Sequence, residues 1–258
     1  MTSRLSAITL NTFREAVRDR VLYNLVIFVL LLVASAPLFS QISIGMERLI
    51  VVNVGLSSIS IFGVIIAIFI GIGLVSKEIE KRTLYTILSR PVRRWEFITG
   101  KYLGLMLTLA VNTAFMTAGL YLALFAFARG QHPADPLLLV AVYFILLELA
   151  IVTAITLLFS SFSSPIFSAI FTFALFVIGT FAQDLRNFAA LSHGLTRLLA
   201  TAVAYLVPNF ASLNVIAQVA HENNVSGRLI LFNSLYALLY AGMATLAATL
   251  VFGRRNLK

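Results

Sequence analysis

The chain contains no cysteine, so neither a disulfide framework nor thiol chemistry is open to it. Charge is scarce: 11% of the 258 residues are charged, against about 25% in an ordinary soluble domain. There is no GxxxxGK(S/T) loop. Gly100-Lys101 lacks the upstream glycine at the needed spacing, and Tyr102 stands where a Mg²⁺-holding hydroxyl is required. The chain therefore cannot bind and split ATP by the phosphate-loop route. No HExxH motif occurs, and no serine–histidine pair sits in a nucleophile-elbow setting. His132, His193 and His221 are far apart in sequence and read as isolated solvated side chains rather than a metal set. Low-complexity linkers, internal repeats and loops large enough to fold alone are all lacking, so residues 1–258 form one domain.

What is present is apolar. Hydrophobic residues make up 60% of the chain and the mean hydropathy is +0.98. These values define an all-α membrane protein. Six runs are long enough to span, at about 21–39, 50–75, 102–128, 137–159, 166–182 and 229–252, since a helix needs about 20 residues to cross a ~30 Å hydrocarbon core. The first run ends Ala34-Ser35-Ala36-Pro37. It reads as an uncleaved span, because its leader is long for a signal peptide and proline would follow the cut directly.

The net charge of +9 does not point to nucleic acid, because the basic residues cluster at the ends of apolar runs. Six spans put both termini on one side. That side holds Arg4, Arg14, Arg18 and Arg20, seven basic residues between spans 2 and 3, and Arg254, Arg255 and Lys258. The other side keeps Arg48, Arg129, Arg186, Arg197 and Arg228. The richer side is cytoplasmic by the positive-inside rule.

Residues 3–20 place Leu5, Ile8, Thr12, Phe13, Ala16 and Val17 at helical spacing, with Arg4, Asn11, Arg14, Arg18 and Asp19 largely elsewhere. This predicts an amphipathic helix at the membrane interface, with Ser3 as a cap. Residues 198–220 carry no charge, but Pro208-Asn209 interrupts them. Each half suits an interfacial or re-entrant piece. The expectation is two short outer helices, roughly 185–206 and 210–222, with Asn209 capping the second. A seventh span is the alternative.

The one long polar stretch between apolar runs is 76–101, SKEIEKRTLYTILSRPVRRWEFITGK. Span 2 can continue as helix past Lys77, because neither Gly nor Pro intervenes. Ser89-Arg90-Pro91 turns the chain, and Pro91 can start a second helix. The product is a helix–turn–helix elbow whose tip mixes Tyr85, Leu88, Arg93, Arg94 and Trp95. Trp and Arg anchor protein interfaces; the bland reading puts Trp95 in the headgroup belt and the arginines on anionic lipid.

Glu148 is the one carboxylate inside a span, close to the midplane. A charge at that depth costs several kcal/mol unless it is paired, solvated or protonated. Ser60 and Asn112 reach a similar depth. The three are candidates for a substrate path, or for structural hydrogen bonds between packed helices. Gly71, Gly73, Gly100 and Gly104 read as sites of close helix approach.

Taken together, Glu80-Lys81-Arg82-Thr83-Leu84, Leu88-Ser89-Arg90-Pro91-Val92-Arg93-Arg94, Gly100-Lys101 and the ending Phe252-Gly253-Arg254-Arg255-Asn256-Leu257 resemble the signature of ABC-2-type transporter permeases. Arg82 stands where that family often has glycine. The resemblance covers essentially the whole chain. It implies a permease subunit of an ATP-driven transporter in the cell (inner) membrane, more suited to export or lipid handling than to import. It also implies a soluble ABC ATPase subunit that binds the ATP and Mg, and a second permease copy or homologous permease. The elbow would be the coupling helix, with Glu80, Thr83, Leu84, Leu88, Pro91, Arg93, Arg94, Trp95 and Glu96 facing the ATPase. No cofactor is expected on this chain. Two other functions fit the composition: an ion-driven secondary transporter, which would want more intramembrane ionisable groups than Glu148, and a non-transporting assembly or anchoring factor.

Overall fold

A computed structural model describes residues 2–18, 27, 47–80, 93–127 and 136–254. The expected span 21–39, apart from Ile27, lies outside the described residues, as do residues 81–92 of the elbow. Among the described residues every regular element is helical: α1 (Thr2–Arg18), α2 (Glu47–Glu80), α3 (Arg94–Phe127), α4 (Pro136–Phe162), α5 (Pro165–Thr180), α6 (Ala182–Leu191), α7 (Gly194–Leu206), a 3-10 turn (Phe210–Leu213), α8 (Ile216–Ala220) and α9 (Gly227–Arg254).

Four helices are long and apolar enough to cross a membrane: α2 over Arg48–Gly73, α3 over Arg94–Phe125, α4, and α9 over Gly227–Gly253. Two bent pairs satisfy the same condition jointly: α5 with α6, bent by 59°, and α7 with Phe210–Ala220, bent by 48°. Each pair is a broken span or a re-entrant loop, so the described helices supply four to six crossings. The expected fifth span, 166–182, corresponds to α5, which meets the crossing condition only together with α6. At 16 residues α5 rises only ~24 Å. By contrast α2 and α3 each hold 34 residues, about 51 Å, so both outreach a hydrocarbon core.

The outer segment also departs from expectation. The helix anticipated over 185–206 is two helices, parted at Ser192-His193, where Gly194 adopts φ +62°. That left-handed value suits glycine. The piece anticipated over 210–222 is a 3-10 turn followed by the five-residue α8. Asn209 does cap it: its side-chain oxygen accepts from the Ser212 amide. At the N-terminus α1 begins at Thr2, so Ser3 lies within the helix rather than ahead of it.

The core centres on α4, whose Phe144, Leu149, Ile151 and Leu157 are wholly buried. It packs against Val52, Leu56 and Ile59 of α2. On α9 a stripe of small residues, Ala237, Ala241, Ala244 and Ala248, is buried, while Leu231, Leu235, Leu238, Leu246 and Leu250 are exposed. Small residues let the α9 backbone approach closely; Ala241 and Ala244 meet Ala154 of α4. Exposed leucine on the other face is what hydrocarbon solvates.

Glycine does the same for α1. A Cβ at Gly100 would fall 2.6 Å from Ile8 Cγ2, and one at Gly104 would fall 2.5 Å from Thr12 Cβ and 2.8 Å from the Thr9 carbonyl oxygen. The GxxxG pattern therefore seats the amphipathic α1 on α3. Gly242 of α9 offers a contrast, since a Cβ there meets open space. Gly104→Ala and Gly242→Ala gain the same helix propensity, about 1 kcal/mol. We expect Gly242→Ala to hold or raise the melting temperature in detergent, and Gly104→Ala to lower it by the equivalent of about 1–3 kcal/mol. Equal shifts would mean that α1 is not docked at this glycine.

Candidate functional site: the elbow end and the buried carboxyl

Two clusters bear on function. The first is the start of α3. This helix begins at Arg94, later than the start at Pro91 that the sequence predicts. Glu96 explains the register. Its carboxylate accepts from the Arg93 backbone N–H at 2.9 Å, the back-reaching half of a capping box. Glu96 is 3% exposed and is spent on this cap.

Arg94 turns inward as well. Its Nη1 donates to the Phe252 and Gly253 carbonyl oxygens at 2.9 and 2.8 Å. These are orphan acceptors at the C-terminus of α9, where a cation is also favoured by the helix dipole. Phe97 stacks on Phe252 with ring centroids 5.7 Å apart. One turn on, Lys101 is 2% exposed; its Nζ lies 3.5 Å from the Glu15 carboxylate of α1 and 5.7 Å from the Phe97 ring centroid. The first two turns of α3 are thus fastened both to α1 and to the end of α9. Arg93 and Trp95 are left outward; Trp95 is 43% exposed.

Of the residues the sequence assigns to the elbow face, Arg93 and Trp95 are therefore exposed, whereas Arg94 and Glu96 are engaged within the chain. Glu80 ends α2. Thr83, Leu84, Leu88 and Pro91 lie outside the described residues. Sequence reasoning missed the partners Glu15 and Phe252. The available signal was weak: Glu15 lies on α1 near its apolar stripe, and Phe252 is the last large apolar residue before the closing basic group.

The second cluster lies midway along the helices. Ser60 of α2 donates to Glu148 Oε2 of α4 at 3.0 Å. Glycine again sets the distance. A Cβ at Gly63 would come within 2.8 Å of Leu149, and one at Gly71 within 2.9 Å of Thr156, so α2 and α4 approach closely along this seam. Asn112 of α3 is 2% exposed and its side-chain oxygen meets no donor among the described residues. The structure thus joins Ser60 to Glu148 and does not hydrogen-bond Asn112 to either. Nearby hydroxyls bond within their own helices, Thr108 to Gly104 O and Thr156 to Val152 O. No group of three metal-ligating side chains occurs among the described residues.

A helical bundle with long apolar helices, a buried carboxyl and an α3 start tied to α1 and α9 has the build of a membrane component. The comparison with known families narrows this: a family model described as ABC-2 family transporter protein matches residues 6–257. The chain belongs to the ABC-2 transporter family. Among curated proteins nothing matches it.

The Ser60–Glu148 bond can be weighed directly. In a double-mutant cycle of Ser60→Ala and Glu148→Gln, read by reversible unfolding in mixed micelles, we expect a coupling of about 0.5–2 kcal/mol. Additive effects would show that the two side chains do not meet.

Proposed function

We propose that the chain is the transmembrane permease subunit of an ATP-driven transporter, an exporter, worked by a separate ABC ATPase through residues 76–101. Six spans place both termini in the cytoplasm and α1 in the interface of the inner membrane. The first span is then drawn from 21–39 and the fifth from the bent pair α5–α6. The permease acts as a pair, with a second copy or a homologous permease. ATP and its Mg belong to the ATPase, since this chain has no phosphate loop.

The observation that carries the reading is the fastening of α3. A force delivered at the elbow acts on a helix already tied to α1 by Lys101–Glu15 and to α9 by Arg94 on the Phe252 and Gly253 carbonyls. These three elements move as one body, while Arg93 and Trp95 remain free to meet a partner. The elbow is then a lever, and the two nucleotide states of the ATPase differ in how they hold it. Glu148, the Ser60 hydroxyl and Asn112 lie deeper in the bundle. We assign them to the polar lining along which cargo moves, with Ser60 holding the carboxyl in place.

The test uses the tagged chain expressed with its cellular partners. Arg93→Glu with Trp95→Ala should abolish co-purification of a soluble ATPase in mild detergent and leave the melting temperature unchanged, because both side chains point outward. Arg94→Ala should instead lower the melting temperature, by orphaning two helix-terminal carbonyls. Unchanged co-purification in the first variant would remove the coupling role from this loop.

A further inference from the structure

The arginines at the end of the bundle remote from the elbow are not alike. Arg48 pairs with Glu222. Arg197 and Arg228 are exposed, and Arg228 also lies over Phe232 of its own helix. Arg186 of α6 differs from all three. It is half-buried, its Nε is shut away from solvent without an acceptor, and among the described residues no carboxylate pairs with it. Its guanidinium carbon lies 5.7 Å from the centroid of the Tyr205 ring of α7, and it is within electrostatic range of the Tyr236 phenol of α9. Asp184, two positions earlier on α6, points to a different side of the helix.

The surroundings make this arrangement costly unless something completes it. Tyr236 stands about nine residues into α9, or ~14 Å along its axis. Phe188, Leu191, Leu195, Leu198, Leu199 and Leu206 of the α6–α7 hairpin are exposed, which marks an apolar surround. A guanidinium there brings five N–H donors and a charge that hydrocarbon does not solvate. The Tyr205 ring lies under the guanidinium carbon and Nε is shut away, which leaves the two Nη groups for a ligand, and their N–H bonds match two oxygens of an oxyanion. Tyr236 takes a hydrogen bond from the Asn209 backbone N–H, which leaves its own O–H to donate.

We propose that Arg186, with the Tyr205 ring beside it, is a binding site for a phosphate group. The phosphate is carried by a lipid headgroup or is free in solution; the recognition chemistry is the same. The assignment does not depend on an ATPase partner, so failure of the coupling reading leaves it standing.

The test uses the full chain in detergent, with the melting temperature followed against added ligand. A ligand that binds only the folded protein raises it by mass action. The ligands are dihexanoyl phosphatidic acid, the matching diacylglycerol without phosphate, and inorganic phosphate. The phosphatidic acid should stabilise the wild type and the diacylglycerol should not. Stabilisation by phosphatidic acid alone identifies a lipid phosphate; equal stabilisation by inorganic phosphate identifies a soluble one. Either supports the site.

Arg186→Gln should weaken the response at least about tenfold, the scale of a charge-assisted bidentate contact. Arg197→Gln removes the same charge from an exposed position at the same end and should leave the response intact. An equal response in Arg186→Gln and wild type, or equal losses in the two glutamine variants, would overturn the proposal. Should Arg186→Gln fail to fold, Arg186→Lys decides. It keeps the charge but not the planar fork, and undiminished binding there would equally sink the assignment.

Discussion

Hydrocarbon supplies no hydrogen-bond partner, and the structure of this chain follows from that constraint. Backbone amides are satisfied within helices. Side-chain polar groups must then be answered locally or across a helix seam. Several threonines take the local route: Thr108, Thr117, Thr156 and Thr172 each donate to the carbonyl four residues back. Among the ionisable groups Glu96 is also answered locally, by the Arg93 amide, but three others reach another element. Glu148 meets Ser60, Lys101 meets Glu15, and Arg94 meets the end of α9. These reaches work only where backbones lie close, which is why they fall beside Gly63, Gly100 and Gly104 on one side of the bundle and the alanine stripe of α9 on the other.

The same constraint organises the end remote from the elbow. The segment after α7 has irregular backbone from Val207 to Asn209, with groups that no helix of its own satisfies. The α9 side chains take them up in register: Tyr240 donates to the Leu206 carbonyl, Tyr236 accepts from the Asn209 amide, and Asn233 donates to the Ser212 carbonyl. Gly179, at the end of α5, abuts the same turn, where a Cβ would fall 2.5 Å from the Pro208 carbonyl oxygen. Pro208 therefore marks a place where chain geometry is held from outside rather than a flexible joint. Irregular backbone at depth is tolerated when protein surrounds it.

Much of this was legible in the sequence, because hydropathy counts residues and a membrane selects for that count. The positions of α2, α3, α4 and α9, the continuation of α2 beyond Lys77, the cap at Asn209 and the close packing at Gly71, Gly100 and Gly104 all follow from spacing. Hydropathy says nothing about angle or partner. It joined α6 and α7 into one helix, because Ser192-His193-Gly194 is too short a polar interruption to register without its backbone angles. It placed Ser60, Asn112 and Glu148 at one depth, yet depth is a single coordinate, and only Ser60 and Glu148 share a seam. Arg186 passed as one of several outer arginines, since what distinguishes it is that Nε meets no acceptor among the described residues.

The elbow shows most sharply what a one-dimensional reading loses. Arg93, Arg94, Trp95 and Glu96 are consecutive, and as a charged, aromatic run they read as a single recognition face. On a helix, neighbours are rotated by about 100°, so four consecutive residues cannot share one face. Arg94 and Glu96 point into the chain and fix where α3 begins and what it is tied to; Arg93 and Trp95 point away. The division has a mechanical consequence. On the proposed coupling, a partner gripping the outward pair would act on a helix that Arg94 ties to α9 and whose start Glu96 caps, so contact and transmission would reside in alternate residues of the same turn. On that reading, loss of Arg94 would leave the contact in place but loosen its tie to α9, whereas loss of the outward pair would leave the bundle intact and remove the contact.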